Sequence, residues 1–374
     1  MKAKKKLNKL SLIDKIILWL NGLLCLALLL SYLAPVVNPK TFWIIAFFGL
    51  AYPFLLIAAL IFLVFWAIRR SRYFFLPLVT ILIGYNVLLN NFELHAPSSG
   101  SYGSNVKVAH MMTYNVHNFK RYGAKNDIST KHEILQLIAD NPPDIVNFQE
   151  FYTRNSGQYN TRDSILKIMG TNWYYFEPVS SNSQEAIGLA IFSRFPITAH
   201  GIVPFTDKMN ENSCLFIDVK NGEKQFRVYN VHLQSIRFDP EDYKYLNGIA
   251  KHDGKGGEGS SARRLGSKLK AAFIKRADQV AKVKAHAAQC PYPYIIAGDF
   301  NDTPASYAVN QMAKGLKNAF REDGTGFGRT YNGDFPNYQI DYIMASPQFD
   351  ISNYQIITKK LSDHYPVKAD MVLK

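Results

Sequence analysis

Residues 294–304 read YIIAGDFNDTP. Tyr294 to Ala297 is a short run of β-formers, which breaks into a glycine, an acid, an amide and Pro304. The run predicts a strand, and Pro304 predicts the first position of a short helix. Asp299 and Asn301 therefore stand where a strand leaves its sheet. Taken alone, such a polar exit is an ordinary strand-to-turn junction.

Five other segments place chemically capable side chains at predicted strand ends in the same way. They are Asn115 in TYNVHNF, Glu150 in VNFQEF, His232 in YNVHLQS, Asp341 in QIDYIM and Asp363-His364 in LSDHYPV. Carboxylate and amide oxygens are hard ligands suited to Mg²⁺ or Mn²⁺. Two histidines add cationic donors or proton shuttles near neutral pH. A hard cation, a carboxylate base and a histidine pair suit water attack on phosphorus. Serine-type acyl transfer has no support, because the GxSxG elbow is absent, and the Walker A loop is missing too.

These six segments, in this order, resemble the endonuclease/exonuclease/phosphatase superfamily, whose fold is that of pancreatic deoxyribonuclease. The resemblance covers roughly Val106 to Leu373. It implies an α/β four-layer sandwich, two packed mixed β-sheets flanked by helices. It also implies roles. Glu150 would be the principal ligand of a divalent cation, Mg²⁺ or Mn²⁺, with Asn115 beside it and Asp363 helping. Asp299 would orient or deprotonate the attacking water, and Asn301 would hold a phosphate oxygen. His364 would donate to the phosphoryl group, oriented by Asp341, and His232 would be a second histidine on the phosphate side. Glu177, in YYFEP, is the candidate partner of His232. Arg194 in IFSRFPI also looks family-like, as a structural or substrate-facing group.

Departures narrow the substrate. Abasic-site endonucleases of this family carry a Trp before the IDY aspartate, where this chain has Tyr338-Gln339-Ile340. Inositol polyphosphate phosphatases show a GDLNYR-type segment, and here it is GDFNDTP. A nuclease-like phosphodiester hydrolase leads. A phospholipid or sphingomyelinase-like phosphodiesterase, or a phosphatase, is the alternative on the same site. An inactive binding domain at the envelope is the alternative of another class.

Working outward from these segments, the periodicity predicts strands at Val106–Val116, Asp144–Gln149, Asn172–Phe176, Ile187–Ser193, Ile197–Val203, Ser213–Val219 and Gln225–Val231. Three more are expected at Ile340–Ala345, Ile351–Ile357 and Val367–Val372. Asn221-Gly222 marks a tight hairpin. Helices are expected after a cap at Asp127 or Ser129, over Thr161–Met169, and over Ala262–Gln289. Ser235 to Ser261 is a long polar loop. Lys251, Lys255, Arg263, Arg264, Lys268 and Lys270, in or near it, are suited either to a phosphate backbone or to a solvated helix face. Cys214 and Cys290 could pair in an oxidising compartment but make no disulfide framework, and buried free thiols are the leading expectation.

The chain's net charge of +14 is unevenly shared. Residues 1–100 hold ten basic against two acidic side chains, a net of +8, and the remaining 274 hold 33 against 27, a net of +6. The first quarter is also the apolar one. Residues 16–37, 41–68 and 73–92 carry no charge and predict about three membrane-spanning helices in an anchor over residues 1–95. A cleaved signal peptide, or a helical hairpin with one re-entrant segment, is the alternative. A polar tether over 96–105 would then lead to the catalytic domain at 106–374. Lys2, Lys4, Lys5, Lys6, Lys9 and Lys15 before the first span, and Arg69, Arg70 and Arg72 after the second, orient the anchor. The positive-inside rule puts them in the cytoplasm and the catalytic domain on the extracytoplasmic side of the membrane. The expected partners are the bilayer and a phosphoester substrate, nucleic acid or phospholipid. No protein partner is indicated.

Overall fold

The computed structural model describes residues 11–95, 107–120, 128–206, 212–236, 238–239, 241–242, 244–245, 258–333 and 337–374. The expected tether, Asp127, Lys251, Lys255 and the lysines before Lys15 lie outside the described residues.

The N-terminal apolar region begins with α1 (Leu12–Ser31), where Ser11 and Asp14 cap one another. A short α2 (Pro39–Phe42) turns the chain into α3 (Ile44–Ile68). Arg69 Nη1 lies 2.7 Å from Asp14 Oδ1, so the end of α3 sits beside the start of α1 and the two form an antiparallel hairpin. The third apolar stretch departs from expectation. It is not one helix but α4 (Phe75–Ile83) and α5 (Tyr85–Asn91), bent by 66° at Gly84 beside the Tyr32 ring. Two helices are thus long and apolar enough to cross a membrane, or three if the bent pair counts as one span.

The rest is a layered α/β sandwich. After β1 (Phe92–Leu94) come β2 (Val108–Asn115), α6 (Ile128–Asp140), β3 (Ile145–Arg154), α7 (Thr161–Met169), β4 (Trp173–Ser181), β5 (Glu185–Ser193) and β6 (Ile197–Val203). Then follow β7 (Ser213–Asn221), β8 (Lys224–His232), α8 (Glu258–Ala287), β9 (Tyr294–Asp299), α9 (Tyr307–Ala313), β10 (Lys317–Asn318) and α10 (Ala319–Asp323). The chain ends through β11 (Thr325–Phe327), β12 (Asp341–Ala345), β13 (Phe349–Ile356) and β14 (Val367–Leu373). One six-stranded sheet runs β13-β14-β2-β3-β5-β4, the other β10-β12-β9-β8-β7-β6. β2/β3 and β8/β9 are parallel and the other pairs antiparallel, so both sheets are mixed. Met111, Ile145, Ile191, Ile217, Val228 and Ile295 fill the space between the sheets. α6 and α7 cover one outer face, and α8 and α9 cover the other.

Pro304 does not open a helix. It lies in a turn, and α9 begins three residues later under the Ser306 cap, whose Oγ accepts from Val309 N at 3.2 Å. The Ser306 hydroxyl satisfies a free helix N–H, which Pro304 cannot do from its place in the turn.

Strand register is what gathers the polar strand ends. Asp341 pairs with Asp299, His232 with Asp299, and Asn115 with Gln149. Gly298 permits the β8/β9 approach: its φ is +151°, and a Cβ there would stand 2.0 Å from Val231 O. A buried polar brace then locks the two sheets together beneath the site. Asn147 Nδ2 donates to Tyr229 O at 2.9 Å and to Ala297 O at 3.1 Å, while Gln149 Nε2 donates to Asn230 Oδ1 at 2.7 Å. Fully buried bonds of this kind fix one alignment of the sheets, because slipping would strand each group without a partner.

Candidate active site

At the end of β2, Asn115 Nδ2 donates to Glu150 Oε1 at 3.3 Å and to Asp299 Oδ2 at 3.1 Å, bridging the two sheets. Glu150 sits at a bulge in β3 with φ +51°, a left-handed backbone that turns its side chain out of the strand's alternation. Asp299 Oδ2 is also 3.6 Å from His232 Nε2 and 3.7 Å from His364 Nε2. His364 Nδ1 meets Asp341 Oδ2 at 2.9 Å and Oδ1 at 3.1 Å. Asn301, with φ +52°, donates its backbone N–H to Asp299 Oδ1 at 2.8 Å and its amide to Leu233 O at 3.1 Å. Asp363 is joined to the group through His117, whose Nδ1 lies 3.4 Å from Glu150 Oε2 and 3.7 Å from Asp363 Oδ1.

All eight principal residues expected from the sequence therefore converge. Glu177 does not join them. Its carboxylate accepts the Tyr175 hydroxyl at 2.9 Å, no hydrogen bond or ion pair links it to His232, and His232 Nδ1 is buried without a partner. On β4 the side chain is held by its own strand neighbour two residues away. Arg194 does not join the group either: it donates to Met169 O at 3.0 Å and lies 3.5 Å from Asp144 Oδ1.

Three participants were not singled out by the sequence. His117 stands two residues past Asn115, and its N–H donates to Asn115 Oδ1 at 3.1 Å, which fixes the amide's orientation. Ser362 Oγ donates to Asn115 O at 2.9 Å. Arg276, on α8, donates to the Asn301 carbonyl and lies 3.0 Å from Asp302 Oδ2. The quoted TYNVHNF and LSDHYPV segments contain the first two, but nothing local distinguishes Arg276 from any other helical arginine.

Electrostatics separates the two central carboxylates. Burial works against the charge of Glu150, but the His117 hydrogen bond and the charges of His232, His117 and His364 outweigh it and hold the carboxyl at about 2. Asp299 is pushed up to about 6 by burial, reinforced by Asp341 and opposed by His364, His232 and Asn115. Burial disfavours charge on His364, yet Asp341 and Asp299 raise its pKa well above the ordinary value. The site thus combines a permanently charged carboxylate, a carboxyl that exchanges its proton near neutral pH, and an imidazolium donor. Among the described residues, the ligand atoms of Asp299, Asp341 and His364 lie within 4.8 Å of one another, and all three residues are buried.

Residues 112–364 match the Endonuclease/Exonuclease/phosphatase family, and residues 14–91 match a domain of unknown function (DUF8431). No curated protein matches the chain. An endonuclease/exonuclease/phosphatase from Beutenbergia cavernae superposes with a TM-score of 0.50 at 20% identity, over 71% of this chain and 72% of its own. A mannosyl-6-phosphatase from Bacteroides thetaiotaomicron gives 0.48 at 17% identity, over 71% and 100%. The human Nocturnin catalytic domain gives 0.49 at 15% identity, over 71% and 95%. The matched segment starts in β2, ends on His364 and takes in every converging residue above, so the chain belongs to the endonuclease/exonuclease/phosphatase family and is a phosphoester hydrolase.

Proposed function

We propose that the chain is a membrane-anchored, divalent-metal-dependent phosphoesterase that hydrolyses a phosphodiester by water attack, with its catalytic domain on the extracytoplasmic side. The observation that carries this reading is the convergence of Glu150, Asp363, Asn115, Asp299 and His232 with the Asp341–His364 pair at one end of both sheets.

The donor set fits a hard cation. Glu150 Oε2 and Asp363 Oδ1 face the same nitrogen, His117 Nδ1, at 3.4 and 3.7 Å, so two carboxylates lie together at this edge of the site. Glu150 would hold Mg²⁺ or Mn²⁺ there, with Asn115 and Asp363 beside it. When bound, the ion would supply positive charge to the phosphate oxygens and lower the pKa of a coordinated water. Asp299 is suited to take the proton of the attacking water, since its carboxyl titrates near 6. Asn301 spends one amide hydrogen on Leu233 O and keeps the other for a phosphate oxygen. His364 has Nδ1 fixed by Asp341 and donates from Nε2 to the phosphoryl group. His232 turns its Nε2 into the site, 3.6 Å from Asp299 Oδ2, and would donate from it on the phosphate side.

The anchor supports the sidedness. Lys15, Arg69, Arg70 and Arg72 mark one end of the α1/α3 hairpin. The catalytic domain packs on the other end, through Lys40 to Asp278 at 2.6 Å, Asn38 to Tyr307 at 3.3 Å and Gln311 to Pro35 O at 3.0 Å. With the basic end in the cytoplasm, the domain lies outside.

Hydrolysis of bis(p-nitrophenyl) phosphate by the full chain, with Mg²⁺ or Mn²⁺ and then with EDTA, tests the chemistry. Activity should require the ion and fall by at least about 10²-fold in Glu150→Gln and His364→Ala. Mn²⁺ should also raise the melting temperature of the wild type but not of Glu150→Gln. Near-full activity in either variant rejects the assigned site. A reporter fused after Lys374 that works only in the cytoplasm rejects the sidedness.

A further inference from the structure

The anchor is built into the loops that carry the catalytic residues. Ala305, four residues after Asn301, is completely buried in a cluster with Leu28, Tyr52, Ala59 and Val87 of the anchor helices. Tyr338, three residues before Asp341, donates its hydroxyl to Leu50 O at 3.0 Å. β11 pairs antiparallel with β1, the segment that leaves α5, and so ties the neighbouring loop to the anchor as well.

Depth follows from helix geometry. Gly49 stands five residues past the start of α3, roughly 8 Å along its axis, and a Cβ there would lie 3.1 Å from Ala305 O. Loops flanking the catalytic centre therefore reach below the level of Trp43, whose ring carries Lys270 Nζ at 4.7 Å in the manner of an interfacial aromatic. The β1/β11 ribbon adds an apolar face at the same end. Leu94 and Phe327 are 77% and 75% exposed, beside Phe92, while Glu93 turns inward to Arg321 at 2.8 Å. Because the ribbon continues directly from α5, the bilayer surface is the occupant of that face.

Two of the basic residues near the polar loop are engaged in ion pairs. Arg264 lies 2.8 Å from Asp242 Oδ1, and Lys268 is 2.6 Å from both Asp239 and Asp242. Among the described residues of that group, Arg264 and Lys268 are thus held in ion pairs within the fold and Lys270 lies over the Trp43 ring, so these three are engaged inside the molecule.

We infer that the phosphodiester this site hydrolyses is the headgroup linkage of a membrane phospholipid, taken from the leaflet on which the catalytic domain sits. The inference rests on the phosphoesterase reading above. Water adds to phosphorus, one P–O ester bond breaks, and the departing alcohol oxygen leaves with a proton that comes from that water. No other reactant is needed.

The test uses the full chain in vesicles of phosphatidylglycerol and phosphatidylethanolamine with Mn²⁺, followed by mass spectrometry of the lipids. An oligonucleotide and bis(p-nitrophenyl) phosphate are offered in parallel. Lipid turnover at least tenfold above oligonucleotide turnover, at equal phosphodiester concentration, is the expected result. Phe327→Glu should lower the ratio of lipid to bis(p-nitrophenyl) phosphate turnover about tenfold. Cleavage of the soluble diester or oligonucleotide with the lipids intact overturns the inference and leaves the phosphoesterase reading standing. If all three substrates survive, both fall.

Discussion

Arg276 Nε lies 3.0 Å from Asp302 Oδ2, and the two side chains are 1% and 5% exposed. The same guanidinium donates to the carbonyls of Asn301 and, at 3.3 Å, of Gln234. One buried cation therefore holds the left-handed turn at Asn301 between the ends of β8 and β9. Burial pushes the Arg276 pKa down and the Asp302 pKa up, with their mutual attraction acting against it in each case. Desolvation thus outweighs attraction, and the pair is better understood as fixing geometry than as adding stability.

Breaking the pair should consequently cost more than replacing it. Arg276→Met leaves Asp302 buried and alone, and should destabilise the protein by about 3–5 kcal/mol. Arg276→Met combined with Asp302→Leu should recover much of that loss while turnover stays low, because Asn301 is still unsupported. Thermal melts and kinetics of both variants check this. A single variant as stable as the wild type would sink the account.

The Asp341–His364 contact is both short and closed to solvent, at 2.9 Å. Thr330 Oγ1 accepts from Asp341 N at 3.0 Å and holds the aspartate in turn. Asp341→Asn keeps the volume but removes the charge that orients the imidazole and favours its protonated form. The expected result is a loss of kcat on the order of 10²-fold with KM changed little. A change confined to KM would show that Asp341 acts on binding instead of on the donor.

The strand ends were legible because strands announce themselves by composition, and a strand's last residue is where a side chain can leave the sheet. Asn115, His232 and Asp299 end their strands and could be named for that reason, whereas Glu150 sits at a bulge inside β3, Asp341 opens β12 and His364 precedes β14. Their grouping comes from register, which apolar faces on both sheets enforce over long stretches. His117 was hidden because its place depends on a left-handed turn through Asn118, with φ +58°. Arg276 falls at core spacing between Phe273 and Val280, so the pattern predicts an apolar residue there. The packing of the N-terminal helices against the sandwich was not legible at all. Gly49 meets Ala305 across more than 250 positions of sequence, and only the finished shapes of both surfaces bring them together.

That contact can be tested with one methyl group. A Cβ at Gly49 would stand 2.5 Å from Ala34 Cβ, so Gly49→Ala forces the α1–α3 connection and the Ala305 loop apart. The cost should be about 1–3 kcal/mol, as for other overpacked sites. Ala34→Gly removes the atom it strikes and should restore most of the stability. Melting temperatures of the single and double variants in detergent decide the matter. No rescue in the double variant would show that the clash lies elsewhere.

His110 and Asp370 couple β2 to β14 at the opposite end of the sheet from the catalytic residues, with Nδ1 2.6 Å from Oδ1. The Asp370 hydrogen bond raises the His110 pKa above 6.5, against burial and Lys368 and with help from Asp144. Burial raises Asp370, but hydrogen bonds from His110 and Asn353 outweigh it and leave the pKa below 3.8. His110 therefore contributes its full stabilisation below pH 6.5 and loses it as pH rises through the elevated folded value. Asp370 contributes fully above 3.8 and loses it as pH falls through the depressed folded value. The pair is at its strongest between those limits. Since the His110 side chain is 51% exposed, its contribution should stay below about 1 kcal/mol. His110→Asn should lower the melting temperature by about one to two degrees at pH 5 and leave it nearly unchanged at pH 9. An equal shift at both values would mean that the imidazole acts by packing, with its charge irrelevant.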